Sequence, residues 1–347
     1  MYSMKVIFVG SLYLAHKPDD GETMKNAILL RSLERHSIKT IKIDLRNRWQ
    51  RIFYLIKYVF ALFFLRDAKL LFSASSMPTY KLLRLAKLFK WKGDNIIYWV
   101  IGGNFGNNIQ GNLVDKKWYA DLYRIIVEGE AMKNQLNDCG LDNVMVLPNM
   151  KEISYIPHKK YVDRKIKRFV FLSRIIPQKG VDYIIQATNK LVANGVDKFV
   201  VDFYGRIDPG YEDSFKSSIK DNNHLNYKGF LDLGNKSGYD VLASYDAMLF
   251  PTYWQGEGFP GIIIDAFVAG LPVIASDWNL NTSLIKDSYN GVIVPVHNIE
   301  ALMEAMKLFI NGILNIKEFS NNAQNDADKY NVDNVINRDL LQELKLI

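Results

Sequence analysis

Short apolar runs alternate along this chain with stretches of helical spacing, and that alternation predicts a parallel α/β protein. The first run, Lys-Val-Ile-Phe-Val-Gly at residues 5–10, reads as a buried parallel strand ending in glycine. Residues 11–21 read as a loop. Residues 22–35 then place Met24, Ala27, Ile28, Leu30 and Leu33 at helical intervals, and 40–44 return as a strand. Strand, glycine-containing loop, helix and strand make a βαβ unit. Residues 68–74, 95–101, 124–128 and 143–147 read as further strands, with a helix over 130–138 closed by Gly140. Pro148-Asn149-Met150 breaks the pattern, and the polar stretch 151–166 reads as a linker.

The alternation then restarts. Residues 168–173 form a new first strand, followed by a helix over 181–191 and strands at 198–204, 225–229, 247–250, 271–277 and 290–295. Helices are predicted over 239–245, 261–270, 299–310, 317–329 and 332–346. The fold expected is two doubly wound parallel-sheet domains, residues 1–150 and 167–330, facing across a cleft, with ligands beyond the carboxyl ends of the strands.

Charge alters this picture in the first half only. The chain has 347 residues and a formal net charge of +7. Residues 1–150 carry 22 Lys/Arg against 13 Asp/Glu, whereas the remainder carries 22 against 24. Within 39–92 the balance is 13 basic to 2 acidic. Such asymmetry points to an anionic surface partner. The 14-residue run 52–65, Ile-Phe-Tyr-Leu-Ile-Lys-Tyr-Val-Phe-Ala-Leu-Phe-Phe-Leu, lies in that region between Arg51 and Arg66. It is too short for a membrane span. It reads either as a helix buried against the sheet or as one that docks on a membrane with Arg46, Arg48, Arg51 and Lys57 on anionic headgroups. Lys81, Arg84, Lys87, Lys90 and Lys92 on the next helix enlarge the basic surface. Few aromatics interleave with them, so no nucleic-acid partner is expected. The single cysteine, Cys139, excludes an internal disulfide and a multi-cysteine zinc site. No signal-peptide core precedes the first strand, and a cytoplasmic protein, peripheral on the inner face of the membrane, is the expectation.

The densest chemistry lies at Gly256-Glu257-Gly258-Phe259-Pro260-Gly261 and the helix it opens, through Asp265. Pro260 suits the first helical position, and Gly261, Ile262 and Ile263 would offer free N–H groups at a positive dipole end, an anion site. The spacing Gly256-x-Gly258-x-x-Gly261 also matches a dinucleotide fingerprint, so an NAD-dependent enzyme is the alternative. Against it stand the late position of the motif, Pro260 in the turn and Glu257 beside the would-be pyrophosphate. Arg174 and Lys179, on a loop of the same row, supply cations that a leaving diphosphate needs as its charge grows.

Glu257-Gly-Phe-Pro-Gly-Ile-Ile-Ile-Asp265, with Ser173-Arg174…Lys179-Gly180, Val146-Leu-Pro148-Asn149 and Asn290-Gly291-x-x-Val-Pro295, resembles the signature of the retaining, nucleotide-sugar-dependent glycosyltransferases of family 4 (group 1 glycosyl transferases), with the GT-B fold. The resemblance implies that Arg174 and Lys179 bind the donor diphosphate. It implies that Glu257 and the amides of Phe259, Pro260's neighbour Gly261, and Ile262 contact sugar and phosphate, with Gly258 in the same turn. Asp265 would hold ribose hydroxyls. Gly10 and Gly21 would lie on the first-domain loop facing the donor, and the final helix, 331–347, would cross back to the first domain. The chain departs from the family in having Asp265 where glutamate is usual. It also has Ile101-Gly102-Gly103-Asn104 where many members have a histidine; His16, in the first loop, reads either as a substitute or as an ordinary solvated histidine. The implied reaction transfers a sugar, with retention, from a nucleoside-diphosphate sugar, UDP-linked, to a saccharide or lipid-linked saccharide acceptor in polysaccharide biosynthesis. No metal and no cofactor are expected. An epimerase on the same fold is a further alternative.

Overall fold

The computed structural model describes residues 5–12, 14, 20–46, 50–158 and 164–347; His16, Arg48 and Trp49 lie outside them. The chain divides into two compact units, Met1–Glu152 with Tyr330–Ile347, and Ile153–Lys329.

In the first unit the chain runs β1 (Lys5–Gly10), α1 (Gly21–Arg35), β2 (Lys39–Asp44), α2 (Arg51–Phe64), β3 (Lys69–Ala74), α3 (Ser76–Leu88), β4 (Ile96–Val100), α4 (Phe105–Gln110), β5 (Arg124–Val127), α5 (Glu130–Asp138) and β6 (Val144–Val146). The sheet is parallel, in the order β2-β1-β3-β4-β5-β6. Helices cover both faces, so the central strands are near-continuous apolar runs; every residue of β3 is buried. Helix α1 starts on a capping box, with Asp20 accepting from the Thr23 N–H and the Thr23 hydroxyl reaching back to the Asp20 N–H.

One expectation is corrected here, and one open reading is narrowed. Helix α3 stops at Leu88, so Lys90 and Lys92 lie beyond it. Lys90 adopts φ +58°, and the Trp91 N–H closes on the Ala86 carbonyl, which ends the helix as a glycine normally would. Helix α2 is buried on one face only: Tyr54, Tyr58, Ala61 and Leu62 join the core and the opposite face does not.

The second unit runs β7 (Lys167–Leu172), α6 (Val181–Ala193), β8 (Phe199–Tyr204), α7 (Glu212–Ile219), β9 (Leu225–Tyr227), α8 (Lys236–Ala243), β10 (Ala247–Phe250), α9 (Gly261–Val268), β11 (Val273–Ser276), α10 (Asn281–Leu284), β12 (Gly291–Val294), α11 (Ile299–Ile310) and α12 (Ile316–Ala327). Its parallel sheet has the order β12-β11-β10-β7-β8-β9. Strand order therefore reverses between β7 and β10, and the crevice beyond their carboxyl ends is where such sheets take ligands. In the first sheet the reversal falls between β1 and β3.

The pattern at 332–346, expected as one helix, resolves into α13 (Val332–Val335) and α14 (Arg338–Glu343). The Asn337 side chain accepts from the Leu340 N–H, capping a new helix where the first ends. Their apolar residues pack with those of α1 and β1 in a core of the first unit.

Candidate active site

Strand β7 delivers Ser173 and Arg174 to the switch point, and a short turn carries Lys179 back beneath them. The turn closes on Gly180, whose φ is +81°. A Cβ there would meet the Pro251 carbonyl oxygen at 2.1 Å, so glycine lets the β7 and β10 loops pack together. Backbone hydrogen bonding confirms the contact: the Tyr253 N–H donates to the Gln178 carbonyl at 2.9 Å.

Lys179 is only 6% exposed. Its ammonium pairs with the Glu257 carboxylate, which also accepts from the Thr252 hydroxyl at 3.2 Å. Burial pulls the lysine below its ordinary pKa, the Glu257 charge and hydrogen bond oppose that, and Arg174 adds to the lowering. Arg174 is exposed, with its guanidinium 5.2 Å from the ring centroid of Trp254. The two cations thus hold different places. Lys179 fixes the carboxylate of the glycine-rich turn, and Arg174 faces solvent.

The turn itself is braced at several points. The Glu257 N–H donates to the Trp254 carbonyl at 3.0 Å, Asn279 Nδ2 to the Glu257 carbonyl at 2.7 Å, and Trp278 Nε1 to the Trp254 carbonyl at 2.8 Å. Gly256 leaves room for the Trp254 indole, which a Cβ would meet at 2.6 Å. Pro260 precedes α9 as its N-cap and is not the first helical residue. Ile263 is no free donor, because its N–H closes on the Pro260 carbonyl at 3.0 Å. Among the described residues the amides of Gly261 and Ile262 remain without a partner, at the dipole's positive end. Gly258 and Phe259 lie in the same turn, Phe259 buried.

Asp265, one turn into α9, is 3% exposed and accepts from the Tyr239 hydroxyl at 2.7 Å. Asn290 fills a structural role: its Oδ1 accepts from the Lys286 N–H, and its Nδ2 donates to Asp326 at 2.9 Å.

Gly10 and Gly21 fall at the first unit's own switch point. A Cβ on Gly10 would meet the Ser73 carbonyl oxygen at 2.5 Å, so that glycine serves the packing of β1 on β3. Gly21 is the exposed first residue of α1, with open space about it among the described residues. The structure also gathers polar side chains there that the sequence did not single out. Asn26 Nδ2 donates to the Ser11 and Ser73 carbonyls at 3.1 and 3.0 Å, and the Ser11 hydroxyl to Glu22 at 2.9 Å. Burial, the largest influence on Glu22, raises its pKa.

Thr252, Trp254 and Tyr239 are the residues of the second unit's site that sequence reading missed. Thr252 and Trp254 come just after the apolar run at β10, the position where strand ends supply ligand contacts; that is the available signal. Tyr239 had none, being brought to Asp265 only by the packing of α8 on α9.

Residues 154–326 match the family model described as glycosyl transferases group 1. Over 218 residues the chain is 25% identical to a poly(ribitol-phosphate) alpha-N-acetylglucosaminyltransferase of Staphylococcus aureus, covering 62% of this chain and 42% of the relative. It is 26% identical over 174 residues to a UDP-Gal:alpha-D-GlcNAc-diphosphoundecaprenol alpha-1,3-galactosyltransferase of Escherichia coli, covering 48% of this chain and 43% of that one. The chain thus spans less than half the length of these curated relatives. Among solved structures, Anabaena Alr3699/HepE in complex with UDP superposes with a TM-score of 0.74 at 15% identity, over 99% of this chain and 100% of that one. That likeness establishes the fold as GT-B.

Proposed function

Through residues 154–326 the chain belongs to the group 1 glycosyl transferases, and on that premise we propose that it moves a sugar from a UDP-linked donor to an acceptor hydroxyl with retention of configuration. The acceptor in this reading is a lipid-linked saccharide of bacterial cell-surface polysaccharide assembly. One observation carries the reading. The buried Lys179–Glu257 pair, the exposed Arg174 and the free amides of Gly261 and Ile262 stand together at the switch point of one sheet.

The roles follow from charge. Arg174 and the α9 amides meet the diphosphate, whose negative charge grows as the bond from the anomeric carbon to the phosphate oxygen breaks. Lys179 adds positive charge from below and keeps Glu257 turned toward the sugar. The leaving oxygen takes the bond's electron pair. The acceptor oxygen then bonds to the anomeric carbon on the same face, and its proton passes to the leaving diphosphate. This path asks the protein for positioning and charge and for no nucleophile. The alpha linkages in the two relatives' names are what retention from an alpha-linked donor would give.

The test is a thermal-shift screen of nucleotide sugars, since a ligand of the folded form stabilises it by about 2.7 kcal/mol at a hundred times its dissociation constant. UDP and one UDP-sugar should raise the melting temperature, and NMR of the product formed with an acceptor should find the donor's anomeric configuration kept. Stabilisation by a nicotinamide dinucleotide and not by UDP would overturn the reading, as would an inverted product.

A further inference from the structure

Helix α2 carries a face that the first unit leaves uncovered. Ile52, Phe53, Leu55, Ile56, Phe60, Phe63 and Phe64 are each between 47% and 76% exposed. They span about half the helix circumference, and no polar residue interrupts them. Taking roughly 150–250 Å² for a whole aromatic side chain, the four phenylalanines alone present about 350–600 Å² of apolar surface. That already equals the largest patch of a typical monomer, about 300–600 Å², and patches of this size mark interaction sites. The face is continued at the end of α3. Arg66 donates to the Phe89 carbonyl there, and Leu88 is also strongly exposed.

Cations lie near this face. Lys81 and Arg84 stand exposed on α3, which α2 touches through the Tyr58 hydroxyl and the Leu82 carbonyl at 2.9 Å, with Arg84 over the Tyr80 and Trp118 rings. Arg66, Lys90 and Lys92 are exposed beyond the two helix ends. Of the two acids in 39–92, Asp44 is buried, accepting from the Leu12 and Leu14 amides at 3.0 and 3.1 Å, and Asp67 is exposed.

We propose that the outer face of α2 docks in the interface of an anionic lipid bilayer, with the helix in the plane of the membrane and the surrounding Lys and Arg on the lipid headgroups. Length forbids spanning: 14 residues rise about 21 Å against a hydrocarbon core of about 30 Å. Among the described residues no helix is long and apolar enough to cross a membrane. Charge decides against a second copy as the occupant. A twofold contact would set the same patch against itself and bring two basic rims together, whereas an anionic surface complements them.

The test is flotation of the full chain with vesicles of phosphatidylcholine, with and without about 30% phosphatidylglycerol. The protein should float with the anionic vesicles at low salt and remain below with the neutral ones. Phe60→Ser with Phe63→Ser should lower partitioning about tenfold or more, and Arg66→Glu or Lys90→Glu should each lower it at least about fivefold. A Phe63→Trp variant should show blue-shifted emission on vesicle addition. Absence of binding to anionic vesicles overturns the proposal. So does equal binding to neutral ones, or a concentration-dependent dimer that the serine variant disrupts while vesicles remain unbound. The serine variant should keep the wild-type thermal shift with UDP, so the docking and donor readings fail separately.

Discussion

Lys179 is the residue on which stability and chemistry meet. Removing Glu257 leaves a buried ammonium without its counter-charge, and Glu257→Ala should cost about 3 kcal/mol in urea unfolding. Lys179→Met strands the carboxylate in turn. Because each single change leaves the same pair broken, the double variant should cost clearly less than their sum, and strict additivity would deny the coupling. For catalysis, Arg174→Ala and Lys179→Ala should each lower turnover roughly 10²–10³-fold, as does loss of a charge-stabilising donor. Near-normal turnover in both would exclude them from the reaction. The lysine also sets a pH dependence. Burial holds its folded pKa below the ordinary lysine value of 10.5, so between the two the unfolded chain binds more protons. Stability therefore rises with pH across that window, and Lys179→Met should abolish the rise in a pH series of unfolding curves. Arg174, Lys179 and Glu257 were legible in the sequence because each sits at a fixed step from a strand end or glycine. Tyr239 was not, because a hydroxyl that packing alone brings to a carboxylate leaves no period in the chain.

Single elements are held to the site by backbone contacts that side-chain patterns do not record. Gly180 joins the β7 loop to the β10 loop, and Gly180→Ala meets two obstacles at once. A left-handed residue with a Cβ costs about 1–2 kcal/mol, and the new atom would lie 2.1 Å from the Pro251 carbonyl oxygen. The expected result is a lower melting temperature together with weaker UDP binding, since the loops bearing Lys179 and Thr252 must part. Wild-type behaviour in both would show the loops to be independent. The strands were read from sequence with ends one or two residues off, because buried parallel strands are plain apolar runs bounded by turns. Helix α7 escaped because its sequence, Glu-Asp-Ser-Phe-Lys-Ser-Ser-Ile, has a single fully buried residue, Phe215. Helix α2 was ambiguous for the opposite reason. A run apolar all round gives no period, so only packing reveals that half of it faces outward.

At the scale of the whole chain, the first unit is made from both ends of the sequence. Tyr330–Ile347 is tied to it by two backbone hydrogen bonds at Lys151, to Tyr330 and from Val332, each 2.8 Å long. Val332, Val335, Ile336, Leu340, Leu341, Leu344 and Leu346 are buried with Ile28, Leu29 and Leu33 of α1. The ion pair of Arg35 with Asp333, 3.0 Å, also fastens the segment. This pair is solvent-exposed and worth about 0–1 kcal/mol, whereas each buried aliphatic side chain contributes about 1.5–3 kcal/mol, so the apolar contacts decide. A chain shortened to end at Lys329 would therefore bare one side of the first unit's sheet and of α1. Calorimetry should find the second unit's transition retained and the first unit's lost or sharply lowered. Leu341→Ala in the full-length chain should destabilise the first unit alone by about 2–5 kcal/mol. An unchanged first-unit transition in the shortened chain would mean that β1 and α1 close their own core, and that the return of the chain serves some purpose other than stability.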